Sequence, residues 1–129
     1  MHVLGVAAGS AYYAITLVNH SSRACRSGGY GGVSMVGDGN GTQLGAPARR
    51  DTSATPAPFT LQPGGRARAR LQLGQALNYS PEKCDPAPAD GFRIYPPNET
   101  RAAYVAGPAT ACRSATVSLM SLRPYRRVG

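Results

Sequence analysis

Along residues 66–73, RARARLQL, apolar and polar positions alternate without a miss. Ala67, Ala69, Leu71 and Leu73 fall on one side; Arg66, Arg68, Arg70 and Gln72 fall on the other. A period of two over this length marks an antiparallel strand with one face on a core and one in water. Residues 11–18, AYYAITLV, are aromatic and β-branched, with Tyr13, Ile15 and Leu17 opposing Tyr12, Ala14, Thr16 and Val18, and predict a second strand. VSMV (33–36) and TQLGAP (42–47) flank GDGNG, whose Asp-Gly and Asn-Gly steps supply the positive φ of a hairpin turn. FTLQPGG (59–65) holds a short strand and a Pro-Gly turn. GFRIYP (91–96) is a strand stopped by Pro96-Pro97, and RAAYVA (101–106) is a shorter one. ATVSLMSL (115–122) alternates again, with Val117, Leu119 and Ser121 against Thr116, Ser118, Met120 and Leu122.

The intervening stretches read as connections. GGYGG (28–32) is a glycine-rich link, and RRDTSATPAP (49–58) has the composition of a mobile loop. Residues 75–90 form a polar connection in which Ser80-Pro81 starts one helical turn, with Pro81 in its first position. Seven or eight short strands with frequent turn signals and no long helix predict an all-β chain, an antiparallel β-sandwich. Its expected span is 1–122, followed by a frayed basic tail, 123–129.

A length of 129 residues fits one domain, able to bury roughly two-thirds of its unfolded surface. With Trp 0, Phe 2 and Tyr 7, the core must come from Val, Leu, Ile and Tyr, while Gly 16 and Pro 11 break the chain often. No apolar run approaches the roughly 20 residues of a membrane span. The opening MHVLGVAAGSAYYAI lacks the basic region and sustained apolar core of a signal peptide. It reads as the inside of a domain that begins abruptly: either a leader lies outside this chain, or the protein stays in the cytoplasm.

The formal net charge is +8, and every cationic residue except Lys83 is arginine. Abundant Ala, Gly, Pro and Arg with scarce Lys is the usage of a GC-rich genome, so part of the charge reflects coding rather than a partner. Arg66, Arg68, Arg70, Arg123, Arg126 and Arg127 would form a polyanion-binding surface if strand and tail lie together. Single-strand binders place aromatic platforms among their charges. RARAR contains none, and nucleic acid is not the expected partner.

Several chemistries lack their residues. The glycines do not form a GxxxxGK[ST] phosphate loop. Asp38 and Asn40 resemble the start of a calcium loop, but no acidic residue follows at its twelfth position. Two histidines, His2 and His20, and six carboxylates, Asp38, Asp51, Glu82, Asp85, Asp90 and Glu99, are scattered over turns and connections. No nucleophile–base pair is suggested, so no enzyme, cofactor or metal is expected. Asn19, Asn40, Asn78 and Asn98 each open an Asn-x-Ser/Thr triplet, which in a bacterial chain is turn chemistry rather than a glycan acceptor. Cys25, Cys84 and Cys112 match no zinc spacing. A Cys84–Cys112 bridge would close a loop of about 29 residues; three buried thiols in a reducing compartment are the alternative on cysteine count alone.

Laid out this way, the chain resembles the actinobacterial secreted domain of unknown function 4232. The stretches that carry the likeness are YYAITLVNHSSRACRSGGYGGVSMV, GTQLGAPARR, FTLQPGGRARARLQL, NYSPEKCDPAPADGFRIYPPNET and TACRSATVSL, from about residue 8 to about 122. Each is loose alone; their order and spacing are specific. The resemblance implies an immunoglobulin-like sandwich, exported or lipid-anchored through a leader absent from this chain, and no catalytic residues. It also implies four cysteines, the first upstream of the opening strand. The upstream cysteine is absent here, as is most of the strand that would carry it, so the sandwich is expected to lack its first strand. Cys25, Cys84 and Cys112 match the other three, which implies a Cys84–Cys112 disulfide and leaves Cys25 unpaired, reactive or bonded to another chain.

The function expected from this reading is a non-enzymatic, extracytoplasmic binding module for an envelope or extracellular protein or polymer. Its contact surface would comprise Tyr30, the 49–58 loop, Tyr95 and Asn98, since loops on rigid scaffolds carry contacts. The second expectation is a cationic module that holds nucleic acid, anionic wall polymer or lipid headgroups through the six arginines named above.

Overall fold

The computed structural model describes residues 2–8 and 12–128. Ala11, Met1 and Gly129 therefore lie outside the described residues. The described chain forms twelve strands: β1 (His2–Ala8), β2 (Tyr12–Val18), β3 (Cys25–Ser27), β4 (Gly32–Gly37), β5 (Thr42–Gln43), β6 (Arg49–Arg50), β7 (Phe59–Leu61), β8 (Arg66–Leu73), β9 (Pro86–Tyr95), β10 (Ala103–Cys112), β11 (Met120–Leu122) and β12 (Arg126–Val128). A short 3₁₀ turn (Ala76–Asn78) and one helical turn, α1 (Pro81–Cys84), link β8 to β9. No helix among the described residues is long and apolar enough to cross a membrane.

The protein is all-β, with several antiparallel sheets. The larger has six strands, in the order β1-β2-β8-β11-β6, with β12 also on β8. β8 is its hub. Its whole length pairs with β2, from Tyr12↔Gln72 to Val18↔Arg66. On its other edge, β11 covers Leu71–Leu73 and β12 covers Arg66–Arg68. The second sheet runs β10-β9-β4-β5, and β3 and β7 form a separate ribbon. Ile15, Leu17, Ala67, Leu71 and Leu122 of the first sheet meet Val33, Met35, Phe92, Ile94 and Ala111 of the second in one buried cluster. The Tyr13 and Phe92 rings touch across it, with centroids 5.6 Å apart.

β8 follows its pattern at every position. Ala67, Ala69 and Leu71 are buried, Leu73 is partly so, and Arg66, Arg68, Arg70 and Gln72 are exposed. Small inward side chains let the sheets approach, while outward arginines keep their heads in water. The turn after β4 also forms as expected, with positive φ at Asp38, Gly39 and Gly41. Elsewhere the count of seven or eight strands is too low and several bounds shift, for three physical reasons. First, β9 starts at Pro86, inside the expected connection, because Ala87 and Ala89 face the core while Pro86, Pro88 and Asp90 face out. Alanines and prolines mask that alternation. β10 likewise runs past 106 to Cys112, with a register shift between Ala106 and Ala109 near Gly107-Pro108. Second, β6 is two residues long, too short for any periodicity; it sits inside the expected 49–58 loop and pairs in parallel with β11. Third, only Met120–Leu122 of 115–122 is strand; Val117 and Leu119 are buried from a turn, on the same side as Met120 and Leu122.

The expected frayed tail is also corrected. Tyr125 is only 1% exposed, Pro124 is buried, and Arg126–Val128 pairs with β8. The opening residues 2–8, where no strand was expected, run antiparallel to β2.

Cys84 and Cys112 form a disulfide, with Cα atoms 4.6 Å apart. It closes the open end of the β9–β10 hairpin, where Cys112 lies opposite Pro86. Two backbone bonds reinforce the junction: the Arg113 N–H donates to the Asp85 carbonyl (2.9 Å) and the Ser114 N–H to the Cys84 carbonyl (3.1 Å). An intramolecular disulfide fits an oxidising, extracytoplasmic environment.

Candidate functional site

Residues that oppose each other across a ladder share a face. The register therefore places Thr16 beside Arg68 and Ala14 beside Arg70 on one side of β8, and Arg126 beside Arg68 and Val128 beside Arg66 on the other. The result is one cationic face on the larger sheet. Strand and tail, which the sequence left separate, lie together there. Arg127 opposes Ala67 and so alternates away from Arg126.

The segment between β11 and β12 makes this possible. The Arg123 N–H donates to the Arg70 carbonyl (3.0 Å), and the Tyr125 N–H to the Gly29 carbonyl (2.9 Å). Tyr125 plunges into the core, and the chain returns to β8 as β12. Between β2, β8 and this returning segment lies an open groove of about 430 Å³, lined by Tyr12, Arg68, Arg70, Arg123, Pro124 and Arg126 among others. The Arg70 guanidinium carbon sits 3.8 Å from the centroid of the Tyr12 ring, a cation–π contact that fixes the plane of the guanidinium. Arg68 donates from Nε to Thr16 Oγ1 at 3.4 Å.

Among the described residues no carboxylate lies within salt-bridge distance of this row. Among the described residues the two salt bridges are Arg113–Asp38 (2.6 Å) and Arg123–Asp51 (3.3 Å). Arg113 holds Asp38 through both carboxylate oxygens and keeps its carboxyl below the usual range. Asp51 is lowered chiefly by hydrogen bonds from the Ser53 hydroxyl and N–H, with Arg123 adding to the effect. Arg66, Arg68, Arg70 and Arg126 thus keep their charge open to a ligand. Fixed guanidinium groups of this kind match phosphate and carboxylate oxygens in pairs.

The loop residues expected to form a contact surface gather around the 28–32 link, away from the arginine row. Tyr30 donates its hydroxyl to the Asp51 carbonyl (2.7 Å), and the Arg50 guanidinium lies 5.1 Å from its ring. It thereby pins the start of the 49–58 segment, which was expected to be mobile. Tyr95 is half-buried over Gly32 at the end of β9. Asn98 is exposed in a turn at φ 59° and borders a separate concavity with Gly28, Gly29 and Pro56. Cys25 is a free, half-buried thiol on β3, opposite Leu61.

Sequence reasoning missed Tyr12 and Thr16. Both stood on the polar side of an amphipathic strand, but only the β2–β8 register reveals that they flank the arginines. Among the described residues no three His, Cys, Asp or Glu side chains gather into a metal-holding group.

The sequence pattern of one family, a domain of unknown function (DUF4232), matches residues 2–125. No curated protein and no solved structure matches the chain.

Proposed function

The chain belongs to the DUF4232 family, and we propose that it is a non-enzymatic, extracytoplasmic binding module that takes an anionic ligand on the cationic face of its larger sheet. The reading rests on one observation above the rest: Arg66, Arg68 and Arg70 stand in a row beside Arg126 with no carboxylate within salt-bridge reach among the described residues. The two sheets are read as an immunoglobulin-like sandwich whose flat face, rather than its loops, meets the ligand. The protein is read as exported, which the Cys84–Cys112 disulfide supports, and its arginine-rich, lysine-poor usage is read as that of an actinobacterial cell. Cys25 is its reactive or intermolecular thiol.

The test is elution from an anionic matrix along a salt gradient. A triple variant, Arg68→Gln/Arg70→Gln/Arg126→Gln, is compared with a charge-matched control, Arg23→Gln/Arg26→Gln/Arg101→Gln. The face variant elutes at clearly lower salt than the control. Equal elution of the two would show that retention follows net charge alone and would remove the groove from the reading.

A further inference from the structure

We infer that the ligand of this face is a linear polyol-phosphate chain, laid along β8 so that successive phosphates meet successive arginines; the inference rests on the anion-binding reading above. On an antiparallel strand, side chains of one face repeat every two residues, about 6.8 Å apart. Arg66, Arg68 and Arg70 therefore form a straight ruler of positive charge whose spacing is comparable with that of neighbouring phosphates in an extended phosphodiester chain. Arg126, opposite Arg68, thickens the middle of the ruler and gives one phosphate two guanidinium groups.

The groove does not fit a single compact anion. It is open rather than enclosed, and its charges are strung along a strand instead of converging on a point. A monomer engages one position; a polymer engages the row, and each further contact forms intramolecularly. Nucleic acid carries the same phosphates but gains less here. Single-strand binders hold bases on open aromatic rings, whereas of the aromatics lining this groove Tyr12 is capped by the Arg70 guanidinium at 3.8 Å and the Tyr13 ring packs against Phe92. What remains between the charges is small or apolar, Ala14, Pro124 and Val128, suited to short polyol units.

The experiment titrates the full chain with glycerol phosphate, with poly(glycerol phosphate) long enough to span the row, and with a single-stranded oligonucleotide of equal charge. The polymer is expected to bind about a hundredfold tighter than the monomer or better. Its affinity falls with added salt by a power close to 0.7 per phosphate held. Arg66→Gln and the double variant Arg68→Gln/Arg126→Gln each lower that salt exponent by about 0.7, while Arg101→Gln leaves it unchanged. Circular dichroism of each variant checks that the fold is kept. Equal affinity for monomer and polymer overturns the inference, as does an unchanged exponent in both face variants. Tighter binding of the oligonucleotide overturns it in favour of nucleic acid. Equal monomer and polymer affinity and tighter oligonucleotide binding leave the anion-binding reading standing, whereas an unchanged exponent in both face variants removes it as well. Absence of binding to every probe overturns both.

Discussion

Replacing Cys84 and Cys112 together by alanine removes a cross-link without placing a polar group in the core, since both residues are buried. The sequence separation is 28, so the closed loop holds about 29 residues, and the chain-entropy relation gives roughly 3.6 kcal/mol of lost stability at 25 °C. Almost all of that loop is the β9–β10 hairpin, the most extensively paired hairpin of the smaller sheet. Its native contacts survive the substitution, and the effect falls on the unfolded chain, which gains freedom. An unfolding entropy of about 2.1 cal/mol/K per residue converts the loss into a fall in Tm of roughly 13 °C. Thermal unfolding by circular dichroism at pH 7 and urea titration measure the two quantities. The urea slope should rise, because an uncross-linked denatured chain exposes more surface. Cys25→Ala is the control and leaves Tm nearly unchanged. A double variant that melts within about 3 °C of the parent, with the same urea slope, would refute the claim that the bridge acts by restraining the unfolded chain.

Tyr125→Ala empties the place of a fully buried ring and should cost about 3–5 kcal/mol in chemical denaturation; a change below 1 kcal/mol would mean that the 123–128 segment is a tail after all. Gly45→Ala forces a Cβ to within 2.0 Å of the Cys112 carbonyl oxygen at φ +74°. It should destabilise by about 2 kcal/mol or more, and an unchanged Tm would contradict that approach. Asp38 has a folded pKa below the ordinary 3.8 because Arg113 bonds its ionised form. Its contribution to stability is therefore complete above that value and is lost as pH falls through the lower, folded one. Arg113→Gln should flatten this part of the acid-unfolding curve, whereas a curve identical to the parent's below pH 4 would rule the pair out as a contributor. Arg126→Gln relieves a like-charge pair in register with Arg68, a penalty of roughly 0.2–1 kcal/mol, so the free protein should melt about 1–4 °C higher at low salt. The gain should vanish at high salt, and a lower Tm would mean that Arg126 stabilises the fold.

How much of this was legible depends on where each segment takes its instructions. β8 was readable residue by residue because its inward positions are apolar and its outward ones charged. β9 and β10 were half hidden. Ala87, Ala89, Ala109 and Ala111 carry the core-facing positions of their outer halves, and alanine contrasts too weakly with Pro and Thr to display a period. Segment 123–128 was misread for a different reason. Arg-Pro-Tyr-Arg-Arg has no local preference for a strand, and its place is fixed by Tyr125 entering the core and by the free edge of β8 at Arg66–Arg68. Such information is tertiary and has no trace in a window of sequence.

The same division holds at the candidate site, with a consequence for where to look. The arginine row was visible in the sequence, and on alternation alone it was simply the wet side of a strand. Pairing changes its meaning. A folding sequence that only needed solubility there could place any polar residue opposite Arg68, and opposite-charge partners would stabilise the ladder. Instead β12 sets Arg126 against Arg68, while Asp51 is engaged with Arg123 of the groove lining. A local preference broken without a compensating contact inside the protein is what a binding surface leaves behind. On the proposed reading a bound polyanion supplies the missing compensation, and it does so only when the tail is folded back onto β8. On that reading the burial of Tyr125 is the step that joins core packing to ligand binding. A variant that loosens Tyr125 should weaken polyanion binding even though no charge has changed.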